Sequence, residues 1–146
     1  MVDVGDKAVT LRRASAQGSV QMRYETALRV VDSNVPKGDV LSVARIAGIM
    51  AAKRTPEIIP LCHHVALTKI EVHVDVDAEL GRVTVVAIVE ARDRTGVEME
   101  ALAAVTAGCL TVYDMLKGID RDMVLSEIKL LEKSGGRTGS YVRYEG

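Results

Sequence analysis

Asp114 and Lys117 have the residue types and the spacing that acid–base chemistry requires. Asp114 and Lys117 stand three positions apart, so on a helix they share one face and come within contact distance. A carboxylate beside an ammonium can act as a general base and a general acid. The same spacing is also common in surface ion pairs that contribute little to stability. The spacing alone is compatible with both interpretations.

A second acidic pair lies upstream, where Glu98 and Glu100 flank Met99. Acidic side chains in the first turn of a helix complement its macrodipole, which is the simpler interpretation of this pair. Ionised carboxylates accept hydrogen bonds without donating them, so the pair also suits a polar ring that carries several N–H groups. The sequence predicts a helix start here and leaves both roles open.

The residues around and between these two groups predict one long helix. Residues 95–117 contain no proline, and the thirteen residues 101–113 carry no charge. This pattern indicates a helix of about twenty residues whose uncharged part is too short for a membrane span. Its apolar residues fall on several faces, so we expect the helix to be covered nearly all round, with chemistry confined to its ends.

The predicted helix keeps its charged ends apart. Glu100 and Asp114 are separated by fourteen positions, or about 21 Å along a helix axis. Either the chain has two sites, or a second copy supplies the other half of one site. Two antiparallel copies about a twofold axis would bring Glu98 and Glu100 of one copy to Asp114 and Lys117 of the other, which creates two identical composite sites.

Further candidates lie in loops and at helix ends. The Cys and His residues do not form a second pair at ligand spacing, so we predict no metal site; they are Cys62, His63, His64 and His73. His63 or His64, in a constrained loop after Pro60, is a better acid–base or phosphate-contact candidate. Several cations are each most simply solvated, but together would suit a polyphosphate: Arg12, Lys37, Lys53, Arg54, Lys117, Lys133 and Arg137.

Composition limits the class of protein. A length of 146 residues predicts one domain over 1–146, with residues 1–6 flexible. Hydrophobic residues make up 48% and charged residues 27%, which is typical of a soluble protein. A formal net charge of −1 argues against a nucleic-acid partner. The first residues carry acids and no apolar segment, so we expect a cytoplasmic protein without a membrane association.

The order of predicted elements indicates the fold class. A first strand over 7–20, broken near Gln17 and Gly18, precedes helices over 23–31 and 40–53. Alternating residues predict a hairpin of strands 68–77 and 82–91, and Val86 and Ile88 suggest that its second strand is covered on both faces. The long helix, a strand over 123–133 and a glycine-rich turn over 133–139 follow. This order favours an α+β fold, with a ferredoxin-like antiparallel sheet packed against helices.

Four blocks of the sequence together resemble the cyclic pyranopterin monophosphate synthase family of molybdenum cofactor biosynthesis, the MoaC family. They are KGDVLSVARIAGIMAAKRTPEIIPLCHH, TGVEMEALAAV, YDMLK and KSGGRTG; they occur in the family's order, and the resemblance covers nearly the whole chain. One position departs from the family pattern, because His64 stands where the family's LCHP block has proline.

The resemblance implies an activity and an assembly. It implies conversion of 3′,8-cyclo-7,8-dihydro-GTP to cyclic pyranopterin monophosphate with release of pyrophosphate, by a ferredoxin-like subunit. It implies a homo-oligomer, a hexamer built as a trimer of dimers, with active sites at the dimer interface. No cofactor is required by the sequence, although Mg²⁺ is compatible with the triphosphate substrate.

The resemblance also implies roles for individual residues. Asp114 and Lys117 are the expected acid–base pair, and Lys37 is expected to be catalytic. The expected substrate-binding positions are Leu61, Cys62, His63, Met99 and Glu100, with Glu98 beside them, and Arg12, Lys53 and Lys133 as phosphate contacts or their supports. A competing hypothesis is a non-enzymatic nucleotide-binding or regulatory module of the same fold, in which the helix ends face solvent and Asp114→Ala is tolerated.

Overall fold

The computed structural model describes residues 1–145. Along the chain lie β1 (Thr10–Gln21), α1 (Tyr24–Val31), α2 (Val40–Lys53), α3 (Thr55–Ile58), β2 (Leu67–Asp77), β3 (Arg82–Asp93), α4 (Glu98–Leu116), β4 (Val124–Ser134) and β5 (Tyr141–Val142). The strands form one antiparallel sheet in the order β2-β3-β1-β4-β5. The first four strands with α2 and α4 give the βαββαβ arrangement, so the prediction of a ferredoxin-like α+β fold is confirmed.

The helices cover one face of the sheet. Val83, Val85, Ala87 and Val89 alternate along β3 and are fully buried, and α4 packs on β1, β3 and β4 while α2 packs on β2. This alternation is the usual pattern of an antiparallel sheet with one dry face. Side chains on the other face of β3, including Val86 and Ile88, are only half-buried. The expectation that β3 is covered on both faces is therefore wrong for the single chain.

Strand β1 is continuous, which corrects the predicted break near Gln17 and Gly18. Gly18 pairs with β3 without interruption, while the register with β4 shifts beside it, where Glu127 has a φ of 55°. A Cβ added at Gly18 would lie 2.6 Å from Ile128 Cδ1 and 2.9 Å from Cys109 Sγ. The glycine thus makes room for the side chains of Ile128 and the buried Cys109 beside a bulge, instead of ending the strand.

Helices α2 and α4 pack closely because small residues face their neighbours. A Cβ at Gly108 would lie 2.9 Å from Val85 Cγ1, and one at Gly48 would lie 3.0 Å from the Ala104 carbonyl oxygen. Val85 is fully buried in the sheet and has few other rotamers available. The two glycines therefore set how closely the helices approach each other and the sheet.

Gly108→Val is expected to destabilise the protein by about 1–3 kcal/mol, because the larger side chain overpacks the contact between α4 and Val85. The matched control is Gly118→Val, since a Cβ at Gly118 meets no atom within 4 Å. That variant should change the free energy of unfolding by no more than about 0.5 kcal/mol. Urea denaturation of both variants measures the difference, and equal stabilities would contradict the packing account.

One face of α4 is left open, which corrects the expectation that the helix is covered nearly all round. The sheet covers one side of α4 and α2 covers another, but Leu110 is 56% exposed. The open side forms an apolar groove of about 220 Å³ lined by Ile58, Ile59, Met99, Leu102, Ala103, Thr106, Ala107 and Leu110. By length and composition α4 resembles a membrane span, but its packing between the sheet and α2 makes it a core helix.

Candidate active site

Three charged side chains meet at the C-terminal end of α4. Lys117 Nζ lies 2.8 Å from Asp114 Oδ1, and Lys37 Nζ lies 3.0 Å from Asp114 Oδ2. Lys37 Nζ also donates to the Asp114 carbonyl oxygen at 3.2 Å. We call Lys37, Asp114 and Lys117 the Asp114 cluster. All three were candidates from the sequence, and the structure brings them together.

The loop before α2 positions Lys37. Gly38 has a φ of 108°, a conformation that favours glycine, and its N–H donates to the Val35 carbonyl at 3.0 Å. Asp39 then caps α2, accepting a hydrogen bond from the Ser42 N–H at 3.1 Å. The tight turn and the cap fix the backbone on the C-terminal side of Lys37, so its side chain reaches Asp114 from a defined position.

Hydrogen bonds within the Asp114 cluster favour the charged forms of Asp114 and Lys117. Hydrogen bonds from Lys117 and then from Lys37 lower the pKa of Asp114 below its ordinary value, and the hydrogen bond with Asp114 raises the pKa of Lys117. The cluster lines a cavity of about 450 Å³ together with Pro36, Tyr113, Met115, Gly118, Ile119 and Arg121. A carboxylate and two ammoniums therefore face a space large enough for a small polar ligand.

A second group of candidates meets at the N-terminal end of α4. Cys62, His63, Glu98, Met99 and Glu100 line a cavity of about 180 Å³, together with Thr95 and Gly96. Cys62 Sγ donates to the Ile59 carbonyl at 3.3 Å, and His63 Nε2 lies 2.6 Å from the Val2 carbonyl oxygen. We call Cys62, His63, Glu98, Met99 and Glu100 the Glu100 cluster.

Glu100 is the buried acid of its cluster, with only 3% of its surface exposed. Burial raises the pKa of Glu100 above its ordinary value, and the nearby charges of Glu98 and Asp93 raise it further. Burial, and then the charge of Glu100, also raise the pKa of the Cys62 thiol. The cavity therefore presents a carboxyl that keeps its proton more readily than an exposed glutamate does.

Glu100→Gln is expected to stabilise the protein, and more so as the pH rises. The folded state binds the Glu100 proton more tightly than the unfolded state, so the carboxyl's contribution to stability is full at low pH and is lost as the pH rises through the raised pKa. The substituted amide stays neutral throughout. Thermal unfolding from pH 4 to pH 8 should therefore show a gain in Tm that grows with pH. The exposed control Glu79→Gln should show no such trend, and a constant gain would contradict the burial account.

Arg12 and Lys133 lie at the glycine-rich turn after β4. Arg12 is 5% exposed and donates from Nε to the Asp93 carbonyl at 3.3 Å and from Nη2 to the Arg94 carbonyl at 3.1 Å. Gly135 and Gly136 have φ of 93° and 85°, and a Cβ at either position would collide with Arg12 or the backbone before it. Arg12 thus connects this turn to the loop that leads into the Glu100 cluster.

Four other candidates make fewer contacts. Lys133 Nζ donates to Thr138 Oγ1 within the glycine-rich turn. Lys53 is exposed in the last turn of α2 and forms no salt bridge within residues 1–145. Leu61 is 71% exposed beside the Glu100 cluster. His64, which departs from the family pattern, is also exposed. None of these side chains is held in place by burial.

The sequence candidates therefore divide between the two ends of α4. The Asp114 cluster lies at the C-terminal end, and the Glu100 cluster lies at the N-terminal end, where Arg12 also holds the preceding loop. The predicted single helix is confirmed as α4 (Glu98–Leu116), so the spacing of about 21 Å between Glu100 and Asp114 stands. One copy of the chain does not place the two clusters in one cavity.

Tyr113 and Arg121 line the cavity of the Asp114 cluster, and neither was a candidate from the sequence. The only available signal for Arg121 was a basic residue four positions after Lys117, and this spacing predicts a shared face only within a helix. In the part of the chain that the structure describes, no group of three or more His, Cys, Asp or Glu side chains is arranged to hold a metal ion.

Comparisons with known proteins find similarity to one family over almost the whole chain. The family model of the MoaC family matches residues 1–136. A cyclic pyranopterin monophosphate synthase of Methylobacterium sp. (strain 4-46) is 55% identical over 141 residues, which span 97% of this chain and 88% of the relative. Proteins of the same name from Roseiflexus sp. (strain RS-1) and Thermoanaerobacter pseudethanolicus are 54% and 52% identical over 142 and 143 residues. These alignments span 97% and 98% of this chain and 90% of each relative.

Proposed function

This chain belongs to the MoaC family, and we propose that it converts 3′,8-cyclo-7,8-dihydro-GTP to cyclic pyranopterin monophosphate and pyrophosphate. It is an enzyme of molybdenum cofactor biosynthesis, and its relatives share the name cyclic pyranopterin monophosphate synthase. The observation that carries the proposed chemistry is the Asp114 cluster, because it places a carboxylate between two ammoniums at a cavity.

The Asp114 cluster supplies the proton transfers in this proposal. Rearrangement of the purine-derived ring requires protons to be removed and returned. Lys117 and Lys37 stabilise the ionised form of Asp114 and lower its pKa, and this carboxylate is the proposed proton acceptor. Asp114 stabilises the protonated form of Lys117 and raises its pKa, and this ammonium is the proposed proton donor or stabilises negative charge as it develops. Lys37 holds the carboxylate from the other side.

The Glu100 cluster binds the ring in this proposal. Glu98 and Glu100 offer acceptors for the N–H groups of a reduced purine or pterin ring, and Glu100 is buried enough for such hydrogen bonds to be strong. Cys62, His63 and Met99 complete the walls of the cavity. His63 contacts the Val2 carbonyl through Nε2, which leaves its Nδ1 available for the substrate.

Cations hold the phosphates in this proposal. Closing the cyclic phosphate requires a ribose hydroxyl to attack the α-phosphorus while pyrophosphate leaves, and negative charge accumulates on the leaving group. Guanidinium and ammonium groups stabilise such charge through charge-assisted hydrogen bonds. Arg12, Lys53 and Lys133 are the proposed phosphate contacts, or the residues that position them, at the end of α4 that carries the Glu100 cluster. Lys37 is the proposed catalytic cation at the end that carries the Asp114 cluster.

A complete site requires two copies of the chain. The open apolar groove on α4 runs from Met99 to Leu110, between the two clusters, and supports the packing of a second copy against this face. Antiparallel α4 helices would bring the Glu100 cluster of one copy to the Asp114 cluster of the other. We propose a homo-oligomer with sites at this interface, assembled as a hexamer from three dimers. We also propose a cytoplasmic location.

The proposed activity needs no resident cofactor. Mg²⁺ would enter with the triphosphate, because Mg²⁺ prefers phosphate oxygens and a few carboxylates to a site made only of protein groups. In this role it would neutralise charge on the departing pyrophosphate.

A turnover assay with 3′,8-cyclo-7,8-dihydro-GTP tests the proposal. We expect one equivalent of pyrophosphate for each equivalent of cyclic pyranopterin monophosphate, measured by a pyrophosphatase-coupled assay and by chromatography of the oxidised product. Binding of the substrate with no release of pyrophosphate would contradict the enzyme proposal and favour a nucleotide-binding module.

A further inference from the structure

The cavity of the Asp114 cluster carries a surplus of positive charge. Its lining includes three cations, Lys37, Lys117 and Arg121, and one carboxylate, Asp114. Both ammoniums contact that carboxylate, at 3.0 and 2.8 Å. Arg121 makes no salt bridge within the part of the chain that the structure describes. In a chain with a net charge of −1, this local surplus favours an anionic ligand.

The backbone of Arg121 is held firmly although its side chain is exposed. Its carbonyl accepts a hydrogen bond from Tyr113 Oη at 3.0 Å, which ties it to the last turns of α4. The adjacent Asp120 is 4% exposed and accepts from the Arg23 N–H at 3.1 Å and from Thr26 Oγ1 at 2.9 Å. The guanidinium therefore starts from a fixed point beside Lys117, which reduces the entropy lost on binding a ligand.

The acids next to Arg121 do not neutralise it, because neither Asp120 nor Asp122 forms a salt bridge with it within residues 1–145. Asp120 points into the protein, where it is paired with Arg23 and Thr26. Its pKa is low in spite of burial, because these groups and the Asp122 N–H donate to it. A guanidinium that is free of carboxylates presents parallel N–H groups that match two oxygens of a phosphate.

We propose that Arg121 binds the pyrophosphate part of the substrate and holds it as it leaves. This inference rests on the proposed function, and it adds a contact at the Asp114 cluster to those at Arg12 and Lys133. Arg121 contributes charge and a bidentate geometry to phosphate binding, whereas Lys37 and Lys117 also contact Asp114. In the shared site, the phosphates would then lie against cations from both ends of α4.

Titration with inorganic pyrophosphate tests this inference without any turnover. Isothermal titration calorimetry at fixed ionic strength should show binding to the wild type that weakens about tenfold or more in Arg121→Gln. Arg121→Lys should fall between the two, because it keeps the charge and loses the paired N–H groups. The control Arg92→Gln removes an exposed charge from β3 and should bind as the wild type does. Equal affinities of wild type and Arg121→Gln would overturn the inference.

Turnover separates a failure of this inference from a failure of the proposed function. If the enzyme forms product, Arg121→Gln should raise the KM and weaken inhibition by pyrophosphate, both by about tenfold. Product formation with unchanged KM and inhibition overturns the role of Arg121 and leaves the function intact. Pyrophosphate binding that depends on Arg121, without any product, supports the anion site and contradicts the proposed function. If Arg121→Gln unfolds, Arg121→Ala provides the same comparison.

Discussion

Asp114→Ala is expected to abolish measurable product formation, with a loss of about 10²–10⁴-fold in kcat if Asp114 acts as an acid–base group. Lys117→Ala should have an effect of the same order, because it removes the proposed proton donor and the ammonium that contacts Asp114 at 2.8 Å. The loss should appear in kcat and in kcat/KM alike, since the proton transfers occur only in the transition state.

Both variants should remain folded. The side chains of Asp114 and Lys117 are 54% and 53% exposed, so their ion pair is well solvated and contributes little to stability. Thermal unfolding checks this directly. Lys69→Ala is the matched control, because it removes another exposed ion pair, between Lys69 and Glu71 at 3.0 Å. Unchanged turnover in Asp114→Ala or Lys117→Ala would refute the assignment of the Asp114 cluster.

Much of the fold follows from periodicity. Alternation in β2 and β3 predicts the hairpin, and the uncharged run after Glu100 predicts α4, because these local patterns match the burial of each element. The break predicted at Gly18 is wrong for a tertiary reason. The glycine accommodates Ile128 and Cys109, which come from elements about ninety or more positions away. No local pattern contains that information.

The candidate site was predictable where its residues share an element or a motif. Asp114 and Lys117 are neighbours on one helical face, so their contact follows from spacing. Lys37 joins them across 77 positions; its charge suggested a phosphate contact, and only the family resemblance gave it a catalytic role. Arg121 enters the cavity through a loop whose course depends on the buried Asp120, and loop courses are set by such tertiary contacts.

The open face of α4 shows a different limit of sequence reasoning. Its apolar residues predicted full coverage, yet Leu110 and its neighbours lie exposed in the single chain. A hydrophobic pattern predicts that a surface is buried, but it does not distinguish burial in the chain's own core from burial against a second copy of the chain. The exposed residues of this groove contradict the prediction that α4 is covered within one chain, and they support the proposed assembly.

Mixing two inactive variants is expected to restore activity, which is the second large effect. Glu100→Ala and Asp114→Ala each damage every site of their own homodimer. In a mixed dimer, one composite site carries both substitutions, and the other combines the intact Glu100 of one copy with the intact Asp114 of the other. Random mixing makes half of the dimers mixed, with one intact site of two, so recovery should reach about one quarter of wild-type activity.

The central claim is that one active site is built from the opposite ends of two α4 helices. Its most direct measurement is turnover by oligomers that contain both Glu100→Ala and Asp114→Ala chains, which carry different affinity tags and are purified over both tags. About one quarter of the wild-type activity is predicted for random pairing within these oligomers, while each parent variant alone stays inactive. Mixed oligomers that form and show no more activity than the parents would contradict a shared site.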